Sequence, residues 1–277
     1  MIRLEILGRI NIQYAILSKN CTFVNMKKLL FISYLLLIVF IKNLQAQKAV
    51  ETDTISIPLF SAHLQMQLPG GDLTNRFGYN AAVGGTFTYK TNKNWMWSFE
   101  GNFMFGNQIK ENNILLSIGT SDSNIIGSNG QLIQVRLLER GFSFMGKGGK
   151  LFPVWGPNKN SGLTLLGGTG FLQHKILIEN LGDYLPQLSG DYLKGYDRLS
   201  NGLALSQFIG YYYFGNKGRA NFYVGLECTE AFTKNRRGYN YDSMSYDTAN
   251  RLDLLYGLKF GWFIPINKKA PDKYYTK

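Results

Sequence analysis

The chain is poor in cysteine and histidine, and beyond its first 46 residues it has no apolar run long enough to make a membrane helix. Its 277 residues include two cysteines, Cys21 and Cys228, and two histidines, His63 and His174. Cys21 falls in the N-terminal segment expected to be removed, which leaves Cys228 alone, with no disulfide framework and no paired metal ligands, so neither a metal nor another cofactor is expected. Cys228 falls on an apolar strand face, where a small buried or lipid-facing residue fits. Nucleic acid is not expected as a partner either, because no zinc pattern and no basic helix supports it. The run Pro69-Gly70-Gly71-Asp72-Leu73 is followed by no Lys-Ser/Thr and opens no helix. It therefore reads as a turn by composition and not as a phosphate cradle.

The N-terminal segment has the order of an export signal. Met26-Lys27-Lys28 is a short basic region, Leu29 to Ile41 is an apolar run, and Leu44-Gln45-Ala46 places a small residue before Gln47. A run this short cannot cross a hydrocarbon core as a helix, which takes about 20 residues. Residues 1–46 are therefore expected to be a signal peptide, with 1–25 upstream of the true start at Met26. The mature domain is then 47–277. The leader carries six Lys/Arg and one acid, so removing it lowers the net charge from +12 to +7. A modest positive excess suits a surface among anionic lipid headgroups.

After Gln47 the chain alternates with a period of two, the signal of strands with two unlike faces. Eight such segments can be read. Phe60, Ala62, Leu64, Met66 and Leu68 oppose Ser61, His63, Gln65 and Gln67. Tyr79 to Tyr89 and Trp95 to Phe105 alternate in the same way. A fourth segment over 132–145 starts with Ile133, Val135 and Leu137 outward and Gln134 and Arg136 inward. Its phase then slips at Phe142 and Phe144, and a β-bulge between Leu138 and Gly141 would repair it. The fifth, 162–177, is glycine-rich. The sixth carries Leu203, Leu205, Ile209, Tyr211 and Tyr213 on one face. The seventh sets Phe222, Val224, Leu226 and Cys228 against Asn221, Tyr223, Gly225, Glu227 and Thr229. The eighth alternates from Leu252 to Ile264. Most are long enough for the ~9–11 residues of a tilted membrane strand. Aromatics at Tyr79, Tyr89, Trp95, Phe105, Tyr211, Tyr213 and Trp262 stand where interfacial girdles are expected.

Connections also alternate in length. Segments 91–94 and 215–219 are tight, whereas 106–131, 178–202 and 233–250 are long. Short periplasmic turns and long extracellular loops are the habit of outer-membrane barrels. The N-terminus is then periplasmic, and 146–161 is a turn of unusual length. The signal ending at Ala46-Gln47, the first-loop run Pro69 to Gly78 and the aromatic-ended last strand Leu252–Ile264 together resemble the small outer-membrane β-barrel families of Gram-negative bacteria. One departure is that the chain continues as Asn267–Lys277 and ends Tyr275-Thr276-Lys277. The resemblance implies an all-β, closed antiparallel transmembrane barrel of eight strands in an up-and-down meander. It also implies a location in the outer membrane, with lipid or lipopolysaccharide as surroundings.

Three groups of residues are candidates for function. Glu100, Arg136, Arg140, Glu227, Asp253 and Lys259 are expected to face the lumen, either as an ion or proton path or as a polar plug that fixes strand register. His63 and His174 would serve a lipid-modifying enzyme only with a nucleophile or carboxylate partner, and otherwise are hydrogen-bonded lumen residues. The loop 178–202 repeats Gly-Asp-Tyr-Leu at 182–185 and 190–193. Its Asp183, Tyr184, Asp191, Tyr192, Tyr196 and Asp197 could dock a protein or a sugar, or simply fold over the barrel mouth. The expectation is a non-enzymatic structural or accessory membrane component that presents its loops to a protein partner in an envelope complex. A narrow pore or transporter and a lipid-modifying enzyme are the alternatives.

Overall fold

In a computed structural model of the chain, the described residues are 54–120, 124–182, 184–215 and 221–266. The expected leader 1–46, Asp183, most of the turn 215–219 and the tail 267–277 lie outside them. Among the described residues, eight long strands pair in sequence order and close on themselves. They are β1 (Ile57–Gly71), β2 (Asn80–Lys90), β3 (Trp95–Gly106), β5 (Leu132–Phe152), β6 (Gly162–Asn180), β7 (Ser200–Phe214), β8 (Asn221–Asn235) and β11 (Asn250–Pro265). Between them lie the short β4 (Asn124–Ile126), which pairs with the start of β5, and a small hairpin of β9 (Tyr239–Asn240) and β10 (Ser245–Tyr246). Every pairing is antiparallel, and β1 closes the ring on β11 from Leu59↔Pro265 to Gly71↔Asp253. Closure leaves no long edge strand with unpaired N–H and C=O groups.

The register sets the shape. Following paired residues once around from Leu59, through Thr88, Ser98, Lys147, Gly168, Ser206, Thr229 and Leu255, returns to β1 at Pro69, ten residues further on. With a rise of about 3.3 Å per residue and a strand spacing of about 4.8 Å, that stagger tilts the strands by about 40° on a cylinder of about 8 Å radius. Such a cylinder is filled by its own side chains. Where the wall is tightest, inward positions hold glycine. A Cβ at Gly168 would lie 2.1 Å from the Gly146 carbonyl oxygen, and one at Gly170 would lie 1.9 Å from that of Phe144. The glycine richness of β6 is thus a packing requirement of the curved sheet.

Outward faces are apolar on every barrel strand. Phe60, Leu64, Met66, Val83, Phe87, Phe99, Phe103, Phe144, Phe171, Leu203, Ile209, Leu226, Leu258 and Phe260 are all exposed. An apolar surface that runs around the whole molecule exceeds the few hundred Å² a soluble monomer tolerates. All four tryptophans, Trp95, Trp97, Trp155 and Trp262, are exposed at or near the end that carries the short turns.

The fourth strand departs from the sequence reading. It runs for 21 residues to Phe152, so the connection 146–161 shrinks to 153–161. It carries no bulge, since its pairing with β6 is continuous from Val135↔Asn180 to Phe152↔Leu163. Up to Arg140 its phase is the reverse of that expected, whereas Phe142 and Phe144 face outward as the bulge would have placed them. Ile133, Leu137, Glu139, Ser143 and Lys147 point inward, whereas Gln134, Arg136, Arg140 and Phe144 point outward. The physical reason is length. A strand of 21 residues tilted by about 40° rises about 50 Å, twice the about 25 Å of an apolar membrane band. Its first half stands above the belt. There the outside is polar, and the inside meets an apolar cap of Ile125, Ile133 and Leu185.

This inversion predicts the labelling of single cysteines introduced into a Cys228→Ser background in detergent micelles. Gln134→Cys and Arg136→Cys should react with a polar maleimide within the dead time of mixing, and Ile133→Cys should be protected. Equal labelling of all three would contradict the phase.

Candidate functional site

The barrel interior is stratified. Its middle tier is a ring of four buried charges, Glu100 from β3, Lys147 from β5, Glu227 from β8 and Lys259 from β11. Lys147 Nζ donates to Glu100 Oε2 at 2.9 Å and to Glu227 Oε1, and Lys259 Nζ donates to Glu100 Oε1 and to Glu227 Oε2 at 2.7 Å. Signs alternate around the ring, the formal charges cancel, and all four carboxylate oxygens accept from an ammonium group. Asn102 Nδ2 adds a bond to Glu100 at 2.8 Å and Ser206 Oγ one to Glu227 at 2.6 Å. Each side chain of the ring is at most 4 % exposed. Burying four charges costs several kcal/mol per ion, and only this mutual saturation offsets it.

The tier towards the short turns is aromatic. Tyr212 and Tyr223 stack with ring centroids 4.6 Å apart, and Phe208, Phe214 and Phe263 pack around them with Leu59, Met96 and Leu151. On the other side of the ring, loop residues Leu73, Phe77, Ile114 and Tyr196 enter the mouth and pack on Ala82, Met104, Leu172 and Ile176 of the wall. The lumen is filled above and below its charges.

Three arginines lace the long loops together over this packing. Arg76 Nε donates to Glu111 Oε1 at 3.0 Å, and Arg198 Nε donates to Glu111 Oε2 at 3.0 Å. Arg198 Nη2 continues to Asp242 at 2.6 Å, and Arg237 makes a two-pronged pair with Asp197. Arg251, at the start of β11, holds the adjoining loop by donating from Nη2 to both oxygens of Asp247. Burial alone would pull Arg198 down, but its hydrogen bonds to Asp242 and Glu111 hold the guanidinium above its ordinary value. The hydrogen bonds to Asp197 raise Arg237 in the same way.

These positions sort the expected site residues. Glu100, Glu227 and Lys259 come together in the ring. Asp253 also points inward but belongs to a higher tier, where its Oδ2 meets His174 Nε2 at 2.9 Å and Thr233 Oγ1 at 2.5 Å. Arg136 and Arg140 do not face the lumen. The Arg136 side chain is 58 % exposed and lies 3.9 Å from Glu179 on the outer wall, and Arg140 donates to the Glu139 carbonyl. The ring's second cation is Lys147, which sequence reading missed. The signal was present, since Lys147 keeps the parity of Ser143 and Met145, but a strand ended at 145 conceals it.

The two histidines sit in buried networks, His174 Nε2 on the Asp253 carboxylate and His63 Nδ1 3.3 Å from Thr86 Oγ1. Thr233 donates to Asp253 and not to His174, whose ring is closed off edge-on by Phe77 at 5.5 Å. His63 Nε2 meets Asn102 Oδ1 at 2.5 Å, and Ser61 Oγ donates to the Thr86 carbonyl and not to His63. Of the loop candidates, Tyr184, Asp191 and Tyr192 are exposed. Tyr196 and Asp197 are buried, Tyr196 edge-on to Tyr241 and Asp197 held by Arg237. These last two build the cap and are not available on its surface. Asp183 lies outside the described residues.

No family model and no curated protein matches the chain. Among solved structures it is similar to Ail, the attachment invasion locus protein of Yersinia pestis, at 9 % identity and a TM-score of 0.41, over 76 % of this chain and 100 % of that one. It is also similar to Neisserial surface protein A, at 10 % identity and a TM-score of 0.38, over 75 % of this chain and 96 % of that one. A third is outer membrane protein OprG from Pseudomonas aeruginosa, at 12 % identity and a TM-score of 0.32, over 78 % and 99 %.

Two predictions follow from the electrostatics. Lys259→Met leaves two buried carboxylates on one ammonium and should cost about 3–5 kcal/mol. The double variant Glu227→Gln/Lys259→Met, which restores neutrality, should recover most of it in urea unfolding from micelles. Burial pushes the Asp247 carboxyl up, but Arg251 and Asn235 outweigh this and hold it below its ordinary value. Its contribution is present above the ordinary Asp range and disappears as pH falls through the lowered value. Proteolysis of the loop 236–249, by a protease active across the range, should therefore be constant from neutral pH down to about 4 and rise only below it.

Proposed function

We propose that this protein is an integral outer-membrane barrel without catalytic or conducting activity, a structural or accessory component that offers a rigid loop cap to a protein partner. The observation that carries the reading is the division of labour in the loops. Their inward side chains are tied by arginine–carboxylate pairs, while Leu116, Ile126, Leu181, Tyr184, Tyr192, Met244 and Tyr246 remain exposed above the belt. Exposed aromatics and Met on a fixed frame suit a protein interface. The encircling apolar belt supports membrane insertion, since a closed barrel is one of the two structures that satisfy every backbone group in lipid. In this reading the short turns and the start of the barrel are periplasmic, residues 1–46 are the export leader, and outer-membrane lipid or lipopolysaccharide surrounds the belt.

The pore reading has the charged lumen in its favour, but the saturated ring and the packed tiers on either side oppose it. Purified protein in planar bilayers should show no sustained openings, and reproducible openings would restore the pore reading. The enzyme reading has His174 paired with Asp253 and His63 beside Thr86 in its favour, but all four side chains are buried in the lumen, away from the lipid face. Photo-crosslinkers at Tyr184 and Tyr192 in intact cells should yield one protein adduct, reduced at least about tenfold when the other tyrosine of the pair is changed to Ser. Adducts to lipid alone, or none, would overturn the docking role.

A further inference from the structure

Between the charge ring and the loop cap lies a tier of buried oxygens without donors. Gln67 of β1 faces Asn80 of β2 across their ladder, and Gly106 of β3 faces Glu139 of β5. All three polar side chains point inward, and Gln67, Asn80 and Glu139 are 5, 4 and 1 % exposed. Asn80 Nδ2 donates to Glu139 Oε1 at 2.9 Å. That bond leaves Asn80 Oδ1, Glu139 Oε2 and Gln67 Oε1 buried with no hydrogen-bond partner. Gly106 makes the space, because a Cβ there would lie 2.8 Å from Glu139 Oε2 and 3.1 Å from Asn80 Cβ.

All three orphan atoms are acceptors, and such atoms cost about 1–3 kcal/mol each when left unmet. Protonating Glu139 would make Oε2 a donor to at most one of the two amide oxygens and leave the other unmet. A water molecule carries two hydrogens and cannot satisfy three acceptors. The Glu139 carboxylate forms no ion pair among the described residues, and the nearby Arg140 donates to the Glu139 backbone carbonyl. One carboxylate and two amide carbonyls are hard oxygen donors, suited to alkali and alkaline-earth ions rather than to soft transition metals. Charge decides between these two, because a monovalent ion neutralises the single carboxylate, whereas a divalent ion would leave a net buried charge. We propose that the Gln67–Asn80–Glu139 tier is a binding site for an alkali-metal cation within the barrel wall.

Thermal unfolding of the full chain in micelles tests this, with sodium or potassium chloride titrated against N-methylglucamine chloride at constant ionic strength. The unfolding midpoint should rise with the logarithm of alkali-ion concentration, as a ligand of the folded state alone requires. Glu139→Gln, whose amide N–H supplies the absent donor, should unfold at a midpoint independent of alkali ions and no lower than that of the parent in their absence. If Glu139→Gln does not fold, Gln67→Leu serves in its place and should weaken the half-saturating concentration by about tenfold. Broadening of the sodium resonance by the parent should fall in the same variants. A parent midpoint independent of alkali ions, an equal response in parent and variant, or calcium acting at lower concentration than sodium and potassium would each overturn the proposal.

Discussion

Everything in this molecule answers to the narrowness of an eight-stranded cylinder. At about 8 Å radius the wall leaves room for side chains and for little else, so a charge placed inside must find its counter-charge on a neighbouring or facing strand. Glu100, Lys147, Glu227 and Lys259 meet that demand from four different strands. Each ion touches two of opposite sign, and removing any one leaves its two neighbours under-compensated. Such a cluster is a weak source of net stability but a strict specifier of register. A slip of one residue in a strand would carry its charge to the outer surface, and on β11 it would bring Leu258 or Phe260 into the lumen in its place.

Strand length supplies the second half of the design. β5 and β6, with 21 and 19 residues, outrun any apolar band, so each crosses two environments. In the lower half the outside is apolar and the inside carries the charge ring above an aromatic tier. In the upper half the loops bring Phe77, Ile114, Ile125 and Leu185 inward, and the same alternation changes its meaning. Outward Arg136 and Glu179 can then pair at the surface. Gly71 marks the switch on β1. Its φ is 59°, and a Cβ there would lie 2.3 Å from the Leu252 carbonyl oxygen. Only glycine lets the strand break at that point into the turn that delivers Leu73 and Phe77 to the mouth.

This explains what was legible in the sequence. A strand such as β1 or β11 lies within one environment over most of its length, so parity alone sorts Leu64 from Gln65 and Leu258 from Lys259. β5 defeats parity because the surroundings invert part-way along it. Ile133 and Val135 are greasy and point in, and Phe142 and Phe144 are greasy and point out. A reader who assumes one environment must invent a bulge to reconcile them. The same assumption discards Lys147, the cation that completes the ring. The loops were unreadable for another reason. Tyr192 and Tyr196 are four residues apart in one motif-rich segment, yet one is exposed and the other buried, because Arg237 and Tyr241 arrive from a different loop. Nothing local to 190–198 encodes that arrival.

The loop cap also bears on the energetic cost of the proposed docking. A loop that must be ordered when it binds loses conformational freedom at that moment, at about 0.5–1.5 kcal/mol per immobilised side chain. Here the ordering is done in the fold. Arg76, Arg198 and Arg237 join all four long loops through Glu111, Asp242 and Asp197, and Phe77 and Tyr196 anchor two of them in the mouth. The exposed Tyr184 and Tyr192 therefore stand on a frame whose position is set by buried pairs, and those pairs are set by the barrel beneath. A filled lumen and a fixed surface are consequences of one arrangement, because the side chains that close the interior are the ones that hold the loops still.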